Sequence, residues 1–457
     1  MGSLLAIEVA IGEIMLSLEI AVVLFAIFLG ARLGGIGLGV MGGLGLACLT
    51  FVFHLQPTQP PIDVLLMITA VVTATSALQA AGGLDYLVKL AERFLRNNPE
   101  RITFYGPFVS YLFTFVAGTG HVAYSILPII AEVARETGVR PERPLSVSVI
   151  ASQHAITASP ISAATVALLG LTSSKGIELI HILGVCVPST LCGVFCSACL
   201  MRKYGKELHE ERAVSQKDKE NKTEQTKLSA RISLKSEAIS LRRAKVSVLI
   251  FLSAIVSIVV CGSSPSLRPA WLLNGEVKIL EMPILIEVIM LSAGALILLF
   301  GKVNVAKVPD GSVFKAGMQA VIAIFGIAWM GDTFFAGHGE GIGGAIKDMV
   351  LMAPWSFAIA LFIFSIFLFS QAATVRSLMP LGVQLGIPAP FLLAMFPAAN
   401  GYFFIPNYPT VVAAIGFDQT GTTRIGKYVL NHSFMLPGLV TAVVSVGMGF
   451  FISYLFL

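Results

Sequence analysis

Four short segments hold the polar groups of this chain that could do chemistry: Gly118, Thr119, Gly120 and His121; Thr157, Ser159, Pro160 and Ser162; Ser370, Gln371, Thr374 and Arg376; and Pro406, Asn407, Tyr408 and Thr410. Three of them are interrupted or flanked by Gly or Pro, the segment from Ser370 is interrupted only by small polar residues, and all are set in apolar sequence. Hydroxyls, amides and freed backbone N–H groups suit the capture of an anion rather than the making of bonds. A helix broken at membrane depth presents the N-terminus of its second half, with unpaired N–H groups and roughly half a positive charge. Several such ends meeting in one place can hold carboxylates without a buried cation. Ser, Thr and Asn also cap these ends, and Thr119, Ser159, Gln371 and Asn407 are the first candidates for contact.

A single hydroxyl in such a segment is most simply used within its own helix or at a helix crossing. Four polar breaks at corresponding places favour a common site. Arg376 has two readings: a bidentate partner for a carboxylate, or a side chain that snorkels or pairs with a backbone carbonyl. An arginine at bilayer depth costs at least ~2.5–3.5 kcal/mol, which marks it for function. His121 and His154 flank the breaks and are read as neutral, hydrogen-bonded core histidines. Asp332 is read as an interfacial residue at the end of a span. The six cysteines all lie in apolar runs, without paired spacing to histidines, so neither a metal nor a cofactor is expected. The glycines between Gly34 and Gly45 fit close helix packing rather than a phosphate loop. No catalytic motif stands in a suitable context, so the chain is not read as an enzyme. No basic and aromatic interleaving points to nucleic acid.

The elements around these residues belong to a membrane. The chain has 457 residues, is 56% hydrophobic and only 12% charged, with a net charge of +5; ordinary globular domains are roughly 45–50% apolar. Apolar runs near 17–30, 36–53, 62–80, 145–170, 178–200, 246–261, 283–300, 316–331, 389–415 and 428–456 approach or exceed the ~17–25 residues that a spanning helix needs. Met1 to Glu19 holds three glutamates and no basic residue, which reads as a retained helix rather than a signal peptide. Lys and Arg concentrate in 89–101, 135–143, 202–245, 302–315 and 424–427, which places these loops in the cytoplasm and both termini outside. The stretches 103–134 and 353–386 are each flanked by loops of one side, so they are expected to be re-entrant hairpins tipped by the polar segments.

The expected architecture is an all-α polytopic membrane protein: an inverted-repeat secondary transporter with about ten spanning helices, two re-entrant hairpins and broken helices. Residues 1–61 form N-terminal scaffold helices. Residues 62–201 form the first repeat, with its hairpin at 103–134 and its broken helix at 145–170. Residues 202–245 make a polar cytoplasmic linker and 246–300 further scaffold helices. Residues 301–457 form the second repeat, with its hairpin at 353–386 and its broken helix at 389–415. In each half a span leads to a glycine and an acidic residue, Gly82 to Asp85 or Gly331-Asp332, then to an amphipathic stretch. The linker is too polar to bury a core.

The segments Gly82-Gly-Leu-Asp-Tyr-Leu-Val88, Ala117-Gly-Thr-Gly-His121, Arg140-Pro-Glu-Arg-Pro144, Ile156-Thr-Ala-Ser-Pro-Ile-Ser162, Ser370-Gln-Ala-Ala-Thr374, Tyr408-Pro-Thr410 and Thr420-Gly-Thr-Thr-Arg-Ile-Gly426 resemble those of the anaerobic C4-dicarboxylate transporters of the Dcu A/B type. The likeness runs in order from about residue 17 to the C-terminus, apart from the linker. It implies a bacterial inner-membrane carrier of succinate, fumarate, malate and aspartate that exchanges internal succinate for an external dicarboxylate. It further implies membership of the ion-transporter superfamily, a homodimer working by an elevator motion in contact with membrane lipid, and a membrane sensor as a partner.

Overall fold

Apolar runs punctuated by Gly and Pro become helices that stop where those residues stop them. The computed structural model describes residues 2–33, 36–205, 241–273, 275–368, 370–406, 408–428 and 430–456. Asn407, Gly34, Gly35 and most of the expected linker therefore lie outside the described residues.

The N-terminal part comprises α1 (Gly2–Leu33), α2 (Gly37–Phe51), α3 (Ile62–Ala80) and α4 (Gly83–Asn97). Gly82 takes φ +75° between α3 and α4, a conformation open to glycine at little cost, and the two helices meet at 70°. Then come α5 (Ile102–Ala117), α6 (Ala123–Glu136), α7 (Glu142–Ala158), α8 (Ala163–Thr172) and α9 (Leu179–Met201). After the linker follow α10 (Leu241–Ser263) and α11 (Met282–Gly301), then α12 (Ser312–Met352), α13 (Ser356–Leu368) and α14 (Gln371–Gln384). The chain ends with α15 (Ala389–Met395), α16 (Pro409–Phe417) and α17 (Met435–Phe456).

Among the described residues, six helical stretches are long and apolar enough to cross a membrane, or seven if the bent pair α3–α4 is one span. The other three expected spans fall short for identifiable reasons. The apolar part of α1, Ile14–Gly30, and helix α2 are short, and 389–415 is cut by two 3-10 turns, Phe396–Ala399 and Gly401–Phe403.

Two further expectations need correction. Helix α12 passes through Gly331-Asp332 without ending, because a glycine inside a helix costs only about 1 kcal/mol and needs a proline or a left-handed turn to become a stop. The fold is also not wholly α-helical. Strands β1 (Ala270–Leu273) and β2 (Glu276–Ile279) pair antiparallel between α10 and α11. Their signal was present as Asn274-Gly275 between β-favouring residues, and Gly275 has φ +87°.

Close crossings hold the bundle together. A Cβ on Gly39 would overlap the Ile322 carbonyl, one on Gly42 would come within 2.7 Å of the Gly326 carbonyl oxygen, and one on Gly326 would overlap the Gly39 carbonyl, so α2 and α12 pack backbone to backbone. Thr58 and Trp329 tie the loop before α3 to α12: Trp329 Nε1 donates to the Thr58 carbonyl at 2.6 Å. At the start of α7, Glu142 accepts from Arg140 Nε at 2.7 Å and from Ser433 Oγ at 2.6 Å. Arg143 Nε donates to the Tyr204 carbonyl at 2.7 Å, at the end of α9. These contacts fix α7 against the loop preceding α17 and against the chain just past α9.

Candidate substrate site

The polar breaks expected from the sequence become real interruptions. Helix α5 ends at Gly118 with φ +68°, and the chain passes through a 3-10 turn, Gly120–Val122, into α6. Gly118 is required twice over. A side chain there would be strained in φ, and its Cβ would come within 2.9 Å of Ile161 Cγ1 and 3.2 Å of the Ile161 carbonyl oxygen. Helix α7 stops at Ala158, and α8 starts after Ser159-Pro160-Ile161-Ser162. Ser370 opens α14, and Tyr408 precedes Pro409 at the start of α16.

All four breaks border one cavity of about 330 Å³. Gly118, Thr119, Gly120 and His121 line it, as do Ser370, Gln371 and Tyr408. Ala163, Ala164, Ala372 and Pro409 bring the first turns of α8, α14 and α16 to its wall. Ile68, Val71 and Val72 of α3 and Ile156 and Ile161 provide an apolar side. No Asp, Glu, Lys or Arg is among its lining residues within the described part of the chain.

The small hydroxyls organise these helix ends. Ser162 Oγ accepts from Thr165 N at 3.1 Å, and Ser370 Oγ accepts from Ala373 N at 3.2 Å. Thr119 Oγ1 accepts from His121 N at 3.5 Å. Each cap occupies one N–H, while the first N–H groups of a helix have no partner within it. The positive ends of α8, α14, α16 and the Gly120 turn thus face a common space. Thr157 and Thr374 bond back to the carbonyls of His154 and Ser370, at 2.8 and 2.9 Å. Thr410 Oγ1 is buried without a partner among the described residues.

Beneath this space Gln371 joins three chain segments. Its Nε2, with two N–H groups, lies within hydrogen-bonding reach of three acceptors: Asn400 Oδ1 at 2.7 Å, the Gln153 carbonyl at 3.2 Å and the Tyr402 hydroxyl. Asn400 Nδ2 reaches the Pro397 carbonyl at 3.0 Å and Thr157 Oγ1 at 3.4 Å. Tyr402 lies against Tyr408 with ring centroids 4.3 Å apart. Gly401 N donates to Ser365 Oγ at 2.7 Å, fastening this segment to α13. Asn400 and Tyr402 were absent from the candidate set, although an amide heading a proline-broken apolar segment was a usable signal.

Thr157, Ser159, Pro160, Ser162, Thr374, Arg376, Pro406 and Thr410 do not line the cavity. Arg376 lies within electrostatic reach of Asp332 and Asp63, and its Nε is buried without a hydrogen-bond partner among the described residues. Asp332 is accordingly a mid-helix partner in charge for Arg376 rather than the terminus of a span. His121 lines the cavity and stacks on Tyr124 with centroids 6.2 Å apart. His154 is fully buried, and neither ring nitrogen meets a partner among the described residues, in contrast to the hydrogen-bonded histidine expected there.

Ser159 Oγ donates to the Phe115 carbonyl at 2.7 Å, pinning the α7–α8 break to the end of α5. Ser159→Ala should therefore lower stability by about 1 kcal/mol, the worth of one such bond, while ligand affinity stays within about twofold, a small fraction of that energy. Thermal unfolding and equilibrium binding on the same preparation test this. Unchanged unfolding with lost binding would place the hydroxyl on the ligand instead.

The anaerobic C4-dicarboxylate membrane transporter family model matches residues 15–457. The chain is 42% identical over 444 residues to the C4-dicarboxylate transporter DcuA of Wolinella succinogenes, covering 96% of this chain and 99% of that one. It is 40% identical over 440 residues to the anaerobic C4-dicarboxylate transporter DcuB of Escherichia coli, covering 94% and 96%. With the DcuA of Escherichia coli K12 it shares 42% over 438 residues, 95% and 98% of the two chains.

Proposed function

Because the chain belongs to the anaerobic C4-dicarboxylate membrane transporter family, we propose that it carries four-carbon dicarboxylates across the membrane, holding their carboxylates on the helix ends that meet in its cavity. It is a multi-pass membrane protein of a transporter family, not an enzyme family. The observation that carries the reading is the meeting of four broken segments at one space lined by N–H-bearing ends and small polar groups, with no carboxylate among its described lining residues to repel an anion. Fumarate, succinate, malate and aspartate fit its chemistry. Their two ends are anionic, and the apolar side at Val71, Val72 and Ile161 suits a short hydrocarbon between them.

In this proposal the two halves are inverted repeats, with α5–α6 and α13–α14 as re-entrant hairpins and α7–α8 and α15–α16 as the broken helices. The order of parts supports it: each half runs helix, polar break, helix, then a second break whose following helix opens on the cavity. The carrier sits in the bacterial inner membrane with both termini outside, works as a homodimer by an elevator motion, and exchanges one dicarboxylate for another. The charge distribution of its loops supports the orientation; the names of its relatives support the cargo.

Proteoliposomes containing the purified chain, loaded with succinate, should take up labelled fumarate or aspartate much faster than empty ones, with no requirement for a Na+ or pH gradient. Uptake that ignores internal dicarboxylate but follows a cation gradient would make the protein a symporter. Failure to bind any C4 acid would remove the proposed cargo.

A further inference from the structure

The β1–β2 hairpin is the one strand pair among the described residues, and nothing in the transport reading uses it. It joins α10 to α11, both long and apolar enough to cross the membrane, and so sits at a membrane face within a few residues of hydrocarbon at either end. The strand register pairs Ala270 with Ile279 and Leu272 with Val277. Cross-strand partners point to the same side of a two-stranded sheet, so these four residues make one wholly apolar face. Trp271 and Lys278, paired with each other, fall on the opposite face.

That apolar face is open. Leu272 is 74% exposed and Val277 67%. An isolated two-stranded hairpin is marginal in water, and water would meet only hydrocarbon on this side. Val260 near the end of α10 and Ile284 near the start of α11, which flank the hairpin in the chain, are exposed as well. We propose that the hairpin is an interfacial anchor whose Ala270, Leu272, Val277 and Ile279 face rests among the lipid acyl chains at the membrane boundary, with Trp271 and Lys278 turned toward the headgroups. Aromatic residues and snorkelling lysines favour that layer, and an amphipathic element lying in it gains from each apolar side chain removed from water.

The chain has three tryptophans. With Trp271, Trp329 and Trp355 replaced by Phe, single tryptophans are introduced as Leu272→Trp or Lys278→Trp. Each protein is reconstituted in vesicles of phosphatidylcholine brominated high on the acyl chains. The Leu272→Trp emission should be blue-shifted and lose most of its intensity to the bromolipid, whereas Lys278→Trp should yield mainly to aqueous iodide. Leu272→Trp emission quenched by iodide alone would overturn the proposal. So would emission shielded from both quenchers, which would mean that protein, such as a second copy, covers the face. A second test adds Val277→Asp to the protein whose single tryptophan is Leu272→Trp, which should lose at least half of its bromolipid quenching and become open to iodide; quenching left unchanged would count against the anchor.

Discussion

Gln371→Leu should reduce dicarboxylate uptake by roughly 100-fold or more while the protein still inserts and elutes as one species. The substitution keeps a similar volume but removes the amide whose two N–H groups are shared among Asn400 Oδ1, the Gln153 carbonyl and the Tyr402 hydroxyl. Each buried acceptor left without its donor costs about 1–3 kcal/mol, and about 2.8 kcal/mol corresponds to 100-fold. The loss falls on the join between the first turn of α14, the Asn400–Tyr402 segment and α7, and so on the geometry of the cavity. Uptake per reconstituted protein is the measurement, with thermal unfolding alongside. Near-normal uptake by Gln371→Leu would show that these three segments do not need this amide to form a working site.

The largest effect on assembly is expected at the glycine crossing. A Cβ on Gly326 would overlap the Gly39 carbonyl of α2, and main-chain atoms cannot rotate away as a flexible side chain can. Overpacking a core typically costs about 1–3 kcal/mol, and here relief requires α2 and α12 to separate. Gly326→Val should therefore lower the unfolding temperature by several degrees or yield aggregated protein. A Cβ on Gly43 of α2 would meet nothing within 4 Å, so Gly43→Val should elute and unfold as the wild type does. Equal damage from both substitutions would trace the effect to valine in the helix rather than to the crossing. Fluorescence-detected gel filtration of solubilised membranes, followed by a heating series, separates the two.

The breaks were legible because proline, glycine and hydroxyl residues are conspicuous in apolar sequence, and Pro160 and Gly118 act locally. What those hydroxyls do was not. Ser159 and Thr119 look alike in the chain, yet Ser159 donates to Phe115 while Thr119 borders the cavity, a difference set by which helices pass nearby. Arg376 could be flagged by its cost in a membrane, but its position near Asp332 depends on α12 running straight through Gly331. Gln371 was readable as a polar group at a tip. Its partners Asn400 and Tyr402 come from about thirty residues away, and although Asn400 heads a proline-broken segment, no local pattern pairs it with Gln371. Of the dense glycines, Gly39 and Gly42 serve the close helix packing expected of them, while Gly43 faces open space, and their partner Gly326 is visible only in three dimensions.

The absence of Asp, Glu, Lys and Arg from the cavity lining among the described residues has an electrical consequence for the proposed carrier. Partial charges at helix ends move no net charge when the empty site changes sides, so the voltage dependence of a cycle rests almost wholly on its cargo. A dianion entering alone against an interior-negative potential would meet roughly 2.3 kcal/mol per charge for every 100 mV. Returning another dianion in its place cancels that work and leaves a cycle driven by the concentration ratio of the two acids, insensitive to the membrane voltage.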